Sequence, residues 1–379
     1  MSPSLLSSFQ ERITQAAAAK QVLRIQGGNT KHFYGSTRAD HAVLDLSPYQ
    51  GVVSYEPSEL VVTARAGTPL QSLASLLAGQ GQCLAFEPPH FGAAATVGGM
   101  VAAGLAGPAR ASAGAVRDHV LGVKLLNGLA QELTFGGQVM KNVAGYDVSR
   151  FMAGSMGCLG VITEVSLKVL PQAPSQATMV CSLSQEKALN LLHRWGGQAL
   201  PLHASLWVQG DAATPQQGHL WVRWQGAVAA VQAASERMRV DVKTLGAQAQ
   251  AMDHPEALAH WQAVREHTLA FFSSPAANLC LWRLSVPQTA PVLSLPQPQC
   301  VEWHGGLRWL WAPATEAMRL RQIAAQAGGH ATLFRHAADG SSQSTPVFTP
   351  LSEGQRRLQQ ALQQQFDPHA VFKTERIGI

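Results

Sequence analysis

The chain has 379 residues, of which 46% are hydrophobic and 13% are charged, and its net charge is +5. A chain this long and this apolar can build two or three domains with large cores, which excludes a disordered protein. Its basic residues are scattered, which argues against nucleic-acid binding, while a mild positive balance favours an anionic cofactor or substrate. The low share of charged residues indicates either an apolar surface that meets a partner or simply an alanine-rich composition.

None of the five cysteines lies in a CxxC pair, and their spacing fits neither a zinc site nor an iron–sulfur cluster. We expect them to be buried thiols in a reducing compartment. The first residues lack the pattern of a signal peptide, and the most apolar stretch, residues 93–107, is too short and too rich in glycine to span a bilayer. The sequence therefore predicts a cytoplasmic protein that reaches the inner membrane only through partner subunits.

The first half of the chain alternates helix and strand patterns. Apolar residues at helical spacing predict a helix over residues 4–19, and two further helices begin with Thr68 and Thr96 as N-caps, the first of them with a capping box closed by Gln71. Asn127-Gly128, between two predicted strands, predicts a hairpin, and residues 147–153 predict a short helix. Alternating or β-branched stretches predict strands at 22–25, 43–46, 51–55, 60–65, 120–126, 131–135 and 161–170.

Residues 171–178 are rich in Pro, Gln and Ala and are interpreted as a domain boundary, which gives domains 1–171 and 172–379. In the second domain, helices near 185–195, 227–238, 257–270 and 315–327 alternate with strands near 204–208, 219–224, 279–286, 307–311 and 330–334. This order predicts an α+β fold built on an antiparallel sheet. Residues 287–299 are expected to form a proline-rich loop, and a last helix covers about 352–365.

Three glycine-rich segments stand out. The first, Gly27-Gly28-Asn29-Thr30-Lys31, follows a predicted strand, and the backbone N–H groups of such a turn can cradle anionic oxygens. The second, Thr96-Val97-Gly98-Gly99, stands at a helix start, where free N–H groups and the helix dipole favour phosphate. An ordinary turn and an ordinary N-cap explain either segment equally well when it is taken alone.

The third segment, residues 145–164, has glycines at 154, 157 and 160, so the loop before the next predicted strand carries few side chains. Such a loop allows a flat aromatic group to lie against the backbone. No GxGxxG opens a βαβ unit and no GxxxxGK[ST] occurs, so a Rossmann dehydrogenase and a P-loop ATPase are both disfavoured.

In this order, the three segments resemble the FAD-binding domain of the vanillyl-alcohol oxidase and p-cresol methylhydroxylase (PCMH-type) family, over residues 20–171. The resemblance implies a two-part PCMH-type FAD-binding domain, followed by a cap-like domain whose tail returns toward the flavin. The family ties flavin to a His or Tyr in some members, but neither His32 nor His90 fits that arrangement, so we expect non-covalent FAD. His119 is expected to be a packed histidine. The resemblance implies cofactor contacts for Gly27, Gly28, Asn29, Thr30, Lys31, Pro89, Thr96, Gly98, Gly99, Gly104, Arg117, Asp118, Gly160 and Ile162.

Two further segments, residues 121–128 and 141–147, resemble the flavin subunits of bacterial glycolate oxidases. The short chain and the form of residues 27–31 and 107–110 are similar to the smaller FAD-binding subunit. The resemblance implies a larger FAD-binding subunit and an iron–sulfur subunit as partners, glycolate as the hydroxy-acid substrate, glyoxylate as the product, and electrons that pass toward the respiratory chain.

The metal-binding motif of related D-2-hydroxy-acid dehydrogenases is incomplete here. His336-Ala337-Ala338-Asp339-Gly340 matches its start, but the second histidine and the Glu-His pair are missing, so no metal site is expected and His336 is only a weak catalytic candidate. Residues 372–376 also depart from the Asn-Pro-Gly-Arg form of relatives. Two alternatives stay open. One is a self-sufficient flavin oxidoreductase of another small hydroxy acid or alcohol, with a base drawn from His304, His336 or Tyr146, and the other is a redox-silent scaffold.

Overall fold

The computed structural model describes residues 4–36, 41–137, 146–210 and 217–378. They form two compact units. The first unit comprises Met1–Ala106, Ala115–Gln172 and Pro350–Ile379, and the second comprises Gly107–Gly114 and Ala173–Thr349. The predicted division at residue 171 thus lies close to one boundary, but the segments 107–114 and 350–379 each pack with the other part of the chain.

The strands in chain order are β1 (Leu23–Gln26), β2 (Ala42–Asp45), β3 (Val52–Glu56), β4 (Val61–Arg65), β5 (Gln82–Cys83), β6 (Val120–Leu126), β7 (Glu132–Gly136), β8 (Val161–Lys168), β9 (Leu170–Pro171), β10 (Ser175–Leu183), β11 (Leu202–Gln209), β12 (Gly218–Gly226), β13 (Ala249–Ala251), β14 (Leu279–Ser285), β15 (Gln299–Glu302), β16 (Leu307–Pro313) and β17 (His330–Arg335). The helices are α1 (Leu5–Ala18), α2 (Leu70–Ala78), α3 (Val97–Ala103), α4 (Arg110–Ala113), α5 (Val116–His119), α6 (Tyr146–Phe151), α7 (Gln185–Gly196), α8 (Val228–Thr244), α9 (His254–Glu266), α10 (Ala317–Gln326) and α11 (Glu353–Phe366).

The first unit is built on an antiparallel sheet in the order β3-β4-β8-β6-β7. The central strand β8 is buried on both faces, which its run of Val, Ile, Thr and Leu permits. Strands β1 and β2 pair in parallel and form a separate two-stranded sheet. Helix α1 begins at the N-cap Ser4 and turns Phe9, Ile13 and Ala16 into the core.

The second unit contains an eight-stranded sheet among its described residues, in the order β13-β10-β12-β11-β15-β16-β14-β17. Neighbouring strands are antiparallel, as predicted for this part of the chain. Apolar residues of α7 and α8 share one buried cluster with β10–β12. Residues of α10 share another with β14, β16 and β17. The mixed helix and strand composition and the antiparallel sheets confirm the predicted α+β class.

The structure tests three local predictions. The hairpin predicted at Asn127-Gly128 is confirmed, because β6 and β7 are antiparallel neighbours joined by residues 127–131. Within this connection the Asn127 side-chain oxygen accepts from the N–H groups of Leu129 and Gln131 at 3.0 and 2.9 Å. Thr68 was predicted to cap α2, but the N-cap is Pro69. The Thr68 hydroxyl instead hydrogen-bonds the backbone N–H and carbonyl oxygen of Gly51. The expected boundary at 171–178 contains the division between the units, which lies after Gln172, while its second half, residues 175–178, belongs to strand β10.

Within the part of the chain that the structure describes, no helix is both long enough and apolar enough to cross a membrane.

Candidate cofactor site

The first unit contains a cleft of about 820 Å³, including its open mouth. The loop after β1, the start of α3 and the loop before β8 all contribute, so the structure brings the three glycine-rich segments together. The lining residues are Ile25, Gln26, Gly27, Gly28, Asn29, Thr30, Lys31, His32, Tyr34, Leu46, Ala66, Thr96, Gly98, Gly99, Ala102, Ala103, Met156, Gly157, Gly160, Ile162 and Arg376.

The loop formed by residues 27–31, here called the phosphate loop, offers unused backbone donors. Among the described residues, the N–H groups of Gly27, Gly28, Asn29 and Thr30 have no hydrogen-bond acceptor. Asn29 adopts a left-handed conformation with φ of 57°. Successive N–H groups in such a turn converge on one point and bind anionic oxygens. This loop therefore has the geometry that the sequence predicted for it.

Glycine is required in this loop by close packing against the next segment. A Cβ on Gly28 would lie 1.4 Å from the carbonyl oxygen of Ala94, and one on Gly27 would lie 2.4 Å from the Thr96 hydroxyl. The Thr30 hydroxyl donates to the carbonyl oxygen of His90 at 2.7 Å, and the Lys31 ammonium donates to the same oxygen at 3.1 Å. The loop is thus held against residues 90–96.

The cleft is electropositive beside this loop. Arg24 approaches the side chains of Asn29 and His32 at 3.5 Å each, and Arg376 also lines the cleft. Burial, with the added repulsion of Arg24 and Arg376, lowers the pKa of His32. An excess of positive charge around unpaired N–H groups suits a diphosphate.

The start of α3 contributes space to the cleft rather than free donors, which corrects the expectation for Thr96–Gly99. The N–H groups of Val97 and Gly98 donate to the carbonyl oxygens of Thr68 and Ala66, and that of Gly99 donates to the Thr96 hydroxyl at 3.2 Å. A Cβ on Gly98 would lie 2.6 Å from the Ala66 Cβ, so Gly98 is a packing glycine. A Cβ on Gly99 would meet only the Thr96 hydroxyl, at 3.1 Å, so Gly99 keeps the cleft open.

The third glycine segment forms another wall of the cleft through Met156, Gly157, Gly160 and Ile162. Gly160 has a φ of 141°, and a Cβ there would lie 2.7 Å from the carbonyl oxygen of Leu126. Only glycine tolerates that combination. Gly145 and the rest of residues 138–145 lie outside the described residues.

Four predicted contacts do not line the cleft. Pro89 is buried, but it is not among the residues that line the cleft. Gly104 ends α3 with a φ of 64°, and a Cβ there would lie 2.9 Å from the Gly154 nitrogen. Asp118 pairs with Arg150 at 2.7 Å and accepts from the Ala115 N–H, while Arg117 is largely exposed. These residues shape the neighbouring helices α3 and α5.

The histidine candidates differ in their surroundings. His32 lines the cleft, whereas His90 meets the phosphate loop through its backbone carbonyl. His119 is buried against Phe86 and lies 3.3 Å from the carbonyl oxygen of Lys168, as expected for a packed histidine.

In the second unit, the two candidate bases are engaged in local hydrogen bonds. His336 Nδ1 lies 2.9 Å from the buried Ser342 hydroxyl, which also accepts from the Ala337 N–H. His304 is buried, its two ring nitrogens lie 2.9 and 3.0 Å from the hydroxyls of Ser205 and Ser112, and burial lowers its pKa to about 4. The side chain of Tyr146 lies outside the described part. Among the described residues, no group of three His, Cys, Asp or Glu side chains is placed to hold a metal ion.

Comparisons with known proteins identify the family. Residues 3–136 match the family model of an FAD binding domain. Over 367 residues the chain is 43% identical to the glycolate oxidase subunit GlcE of Escherichia coli (strain K12), a match that covers 97% of this chain and 95% of that protein. The chain belongs to this glycolate oxidase subunit family. Over 138 residues, 36% of the chain, it is 31% identical to a D-lactate dehydrogenase of Anaerostipes hadrus, of which 29% is covered.

A solved structure of an alkyldihydroxyacetonephosphate synthase shows the same fold. It matches with a TM-score of 0.67 and 12% sequence identity, over 97% of this chain and 75% of that one. At this identity the likeness concerns the fold alone. The fold class and the family predicted from the three glycine segments are thereby confirmed.

The cleft fits FAD, the cofactor of the family. The unpaired N–H groups of the phosphate loop and the nearby cations would hold the pyrophosphate, and Gly99, Gly157 and Gly160 leave room for flat or extended parts of the cofactor. Sequence reasoning missed Arg376 and Met156. Arg376 lies 345 residues from Lys31, to which it hydrogen-bonds, and no local pattern connects the two.

Proposed function

We propose that this chain is the FAD-binding subunit of a multi-subunit glycolate oxidase that also contains a larger FAD-binding subunit and an iron–sulfur subunit. Its cofactor is non-covalent FAD, held by Gly27–Thr30, Lys31 and the glycine-lined walls of the cleft. One observation carries the cofactor assignment, namely the four adjacent N–H donors that have no acceptor among the described residues and belong to residues that line the cleft. The near full-length relative, whose name is that of a glycolate oxidase subunit, supports the rest.

In the proposed reaction, glycolate loses two electrons and two protons and becomes glyoxylate. FAD supplies the electron-accepting chemistry when it is bound. The residues of this chain bind the cofactor, orient it through the phosphate loop and exclude water from the glycine-lined walls. The electrons are then passed to the iron–sulfur subunit.

Support for a dependent subunit comes from the second unit. His336 is held by Ser342 instead of a second histidine, and both ring nitrogens of His304 have hydroxyl partners. A histidine whose pKa lies near 4 is a weak base at neutral pH. Neither of these two candidate bases is therefore ready to accept the substrate proton.

The test is dye-coupled glycolate oxidation, measured for the purified chain and for the complex purified from cells that express all subunits. We expect the chain alone to have less than about a hundredth of the turnover of the complex, and a chain variant that cannot bind FAD to lower the activity of the complex. Equal turnover by the lone chain contradicts a dependent role.

A second candidate is a self-sufficient FAD-dependent dehydrogenase of another 2-hydroxy acid. It is favoured by the 31% identity to a D-lactate dehydrogenase over 138 residues. The same assay with D-lactate and other small 2-hydroxy acids separates the two candidates. A third outcome, unchanged activity of the complex when this chain cannot bind FAD, identifies a redox-silent scaffold.

A further inference from the structure

The C-terminal segment 367–377, here called the strap, is anchored in the core of the first unit. The Asp367 carboxylate accepts from the N–H groups of Val371 and Phe372 at 2.9 and 2.7 Å. Both of these apolar residues are buried. The carbonyl oxygen of Val371 accepts from the N–H of Leu23, the first residue of β1, at 2.7 Å. The strap therefore starts beside the strand that leads into the phosphate loop.

The last residues of the strap lie between two loops that line the cleft. The carbonyl oxygen of Arg376 accepts from the N–H of Ser36 at 3.0 Å, and the Thr374 hydroxyl lies 3.7 Å from the Cys158 thiol. At Gly35, an added Cβ would lie 2.9 Å from Arg376 Cγ and 3.0 Å from Met156 Sδ. The strap thus joins residues 31–36 to residues 156–158.

The Arg376 guanidinium holds the end of the phosphate loop. Its Nη2 donates to the carbonyl oxygens of Lys31 and Tyr34 at 2.8 and 3.0 Å, and its Nε donates to that of Tyr34 at 3.2 Å. Nη1 has no hydrogen-bond partner within the described ranges, and the residue lines the cleft. Two donors of a planar, charged group are therefore left for a ligand oxygen.

The charge of Arg376 is not balanced by a carboxylate in the described part of the chain. Burial and the repulsion of Arg24 lower the pKa of Arg376, although the nearby Cys158 opposes this change. Arg24 and Arg376 lie beside the same loop and repel each other. A bound diphosphate would offset this repulsion with its negative charge.

We propose that the strap is part of the FAD site, with Arg376 as the residue that both positions the phosphate loop and binds the pyrophosphate. This inference rests on the proposed FAD binding. FAD and the strap contact the same loop. Packing of the strap on this loop therefore increases the affinity for FAD, and bound FAD stabilises the packed strap by the same factor.

The first test is an FAD titration of the apo-protein with three variants. Arg376→Met removes the charge and the forked donors, and we expect FAD to bind about 10- to 100-fold more weakly with a reduced salt dependence. Arg376→Lys keeps the charge without the fork and should be intermediate. Lys373→Met removes an exposed charge from the same strap and should change the dissociation constant less than about twofold.

The second test uses the unmodified chain, which avoids variants that fail to fold. Hydrogen exchange of the amides of residues 374–378 should be at least about tenfold slower with FAD than without it. Equal exchange rates, or FAD binding by Arg376→Met as tight as that of the unmodified chain, overturn the role of the strap. If the unmodified chain binds no FAD, the cofactor assignment itself fails instead.

Discussion

At the scale of single residues, the two adjacent glycines of α3 have different roles. Gly99 lines the cleft, where an added Cβ would meet only the Thr96 hydroxyl at 3.1 Å, whereas Gly98 packs against Ala66. We predict that Gly99→Val leaves the apo-protein folded, since valine has a better helix propensity than glycine, but weakens FAD binding by roughly two orders of magnitude, or about 2.7 kcal/mol, because its γ-carbons occupy the cleft. The measurement is the melting temperature with and without added FAD.

The matched variant Gly98→Ala should behave in the opposite way. Its Cβ would lie 2.6 Å from that of Ala66, so overpacking should cost the apo-protein about 1–3 kcal/mol while the remaining folded protein still binds FAD. If Gly99→Val shows the normal FAD-dependent rise in melting temperature, the start of α3 is not next to the cofactor.

Sequence reasoning reached the glycines of the cleft but not all of their roles. Gly27–Lys31 follow a strand and have the composition of a local turn, so their function is visible in a few consecutive residues. The N–H groups at Thr96–Gly99 were predicted to be free, but those of Val97 and Gly98 donate to Thr68 and Ala66 in the loop between β4 and α2, and that of Gly99 donates to the Thr96 hydroxyl. Such long-range partners, like Arg376 for the phosphate loop, follow from tertiary structure and leave no local pattern.

At the scale of secondary-structure elements, the turn between β15 and β16 is a strained and buried feature. Trp303, His304 and Gly305 have φ values of 54°, 57° and 104°. Burial lowers the pKa of His304 to about 4, below its ordinary value of 6.5. The unfolded chain therefore binds a proton below pH 6.5 that the folded unit does not bind until about pH 4, so stability is lost as the pH falls through this window.

We predict that His304→Asn, which tolerates the left-handed conformation, reduces the loss of unfolding free energy between pH 7.5 and pH 5 by about 2 kcal/mol. All nine tryptophans lie in the second unit, so tryptophan fluorescence in urea follows its unfolding. His254→Asn, at an exposed histidine of α9, is the control and should leave the pH difference unchanged. An unchanged difference in His304→Asn as well would contradict the buried, neutral state of His304.

Element prediction succeeded where periodicity is strong and failed where tertiary contacts decide. The alternation of residues 161–170 and the helical spacing of residues 4–19 match β8 and α1 closely. Strand β10 was missed because Pro174 precedes it and Ala177 near its start is a poor strand former, and its pairing with β12 and β13 overrides that preference.

At the scale of the whole molecule, the chain passes between its two units more often than the sequence predicts. Residues 107–114 interrupt the first unit in sequence but pack in the second, where the Trp303 indole N–H donates to the carbonyl oxygen of Gly107 at 3.0 Å and Arg110 lies over the Trp303 ring at 4.7 Å. Composition marks no boundary at either end of this segment, and only the contacts assign it.

The flavin content of the purified chain is the most direct test of a non-covalent FAD site in the first unit. After reconstitution with FAD and removal of the excess, we predict about one FAD per chain, a yellow protein, and release of the flavin into the supernatant on acid precipitation. Flavin that stays with the precipitated protein would contradict the non-covalent site. A colourless chain whose melting temperature does not change with FAD would contradict the cofactor site altogether.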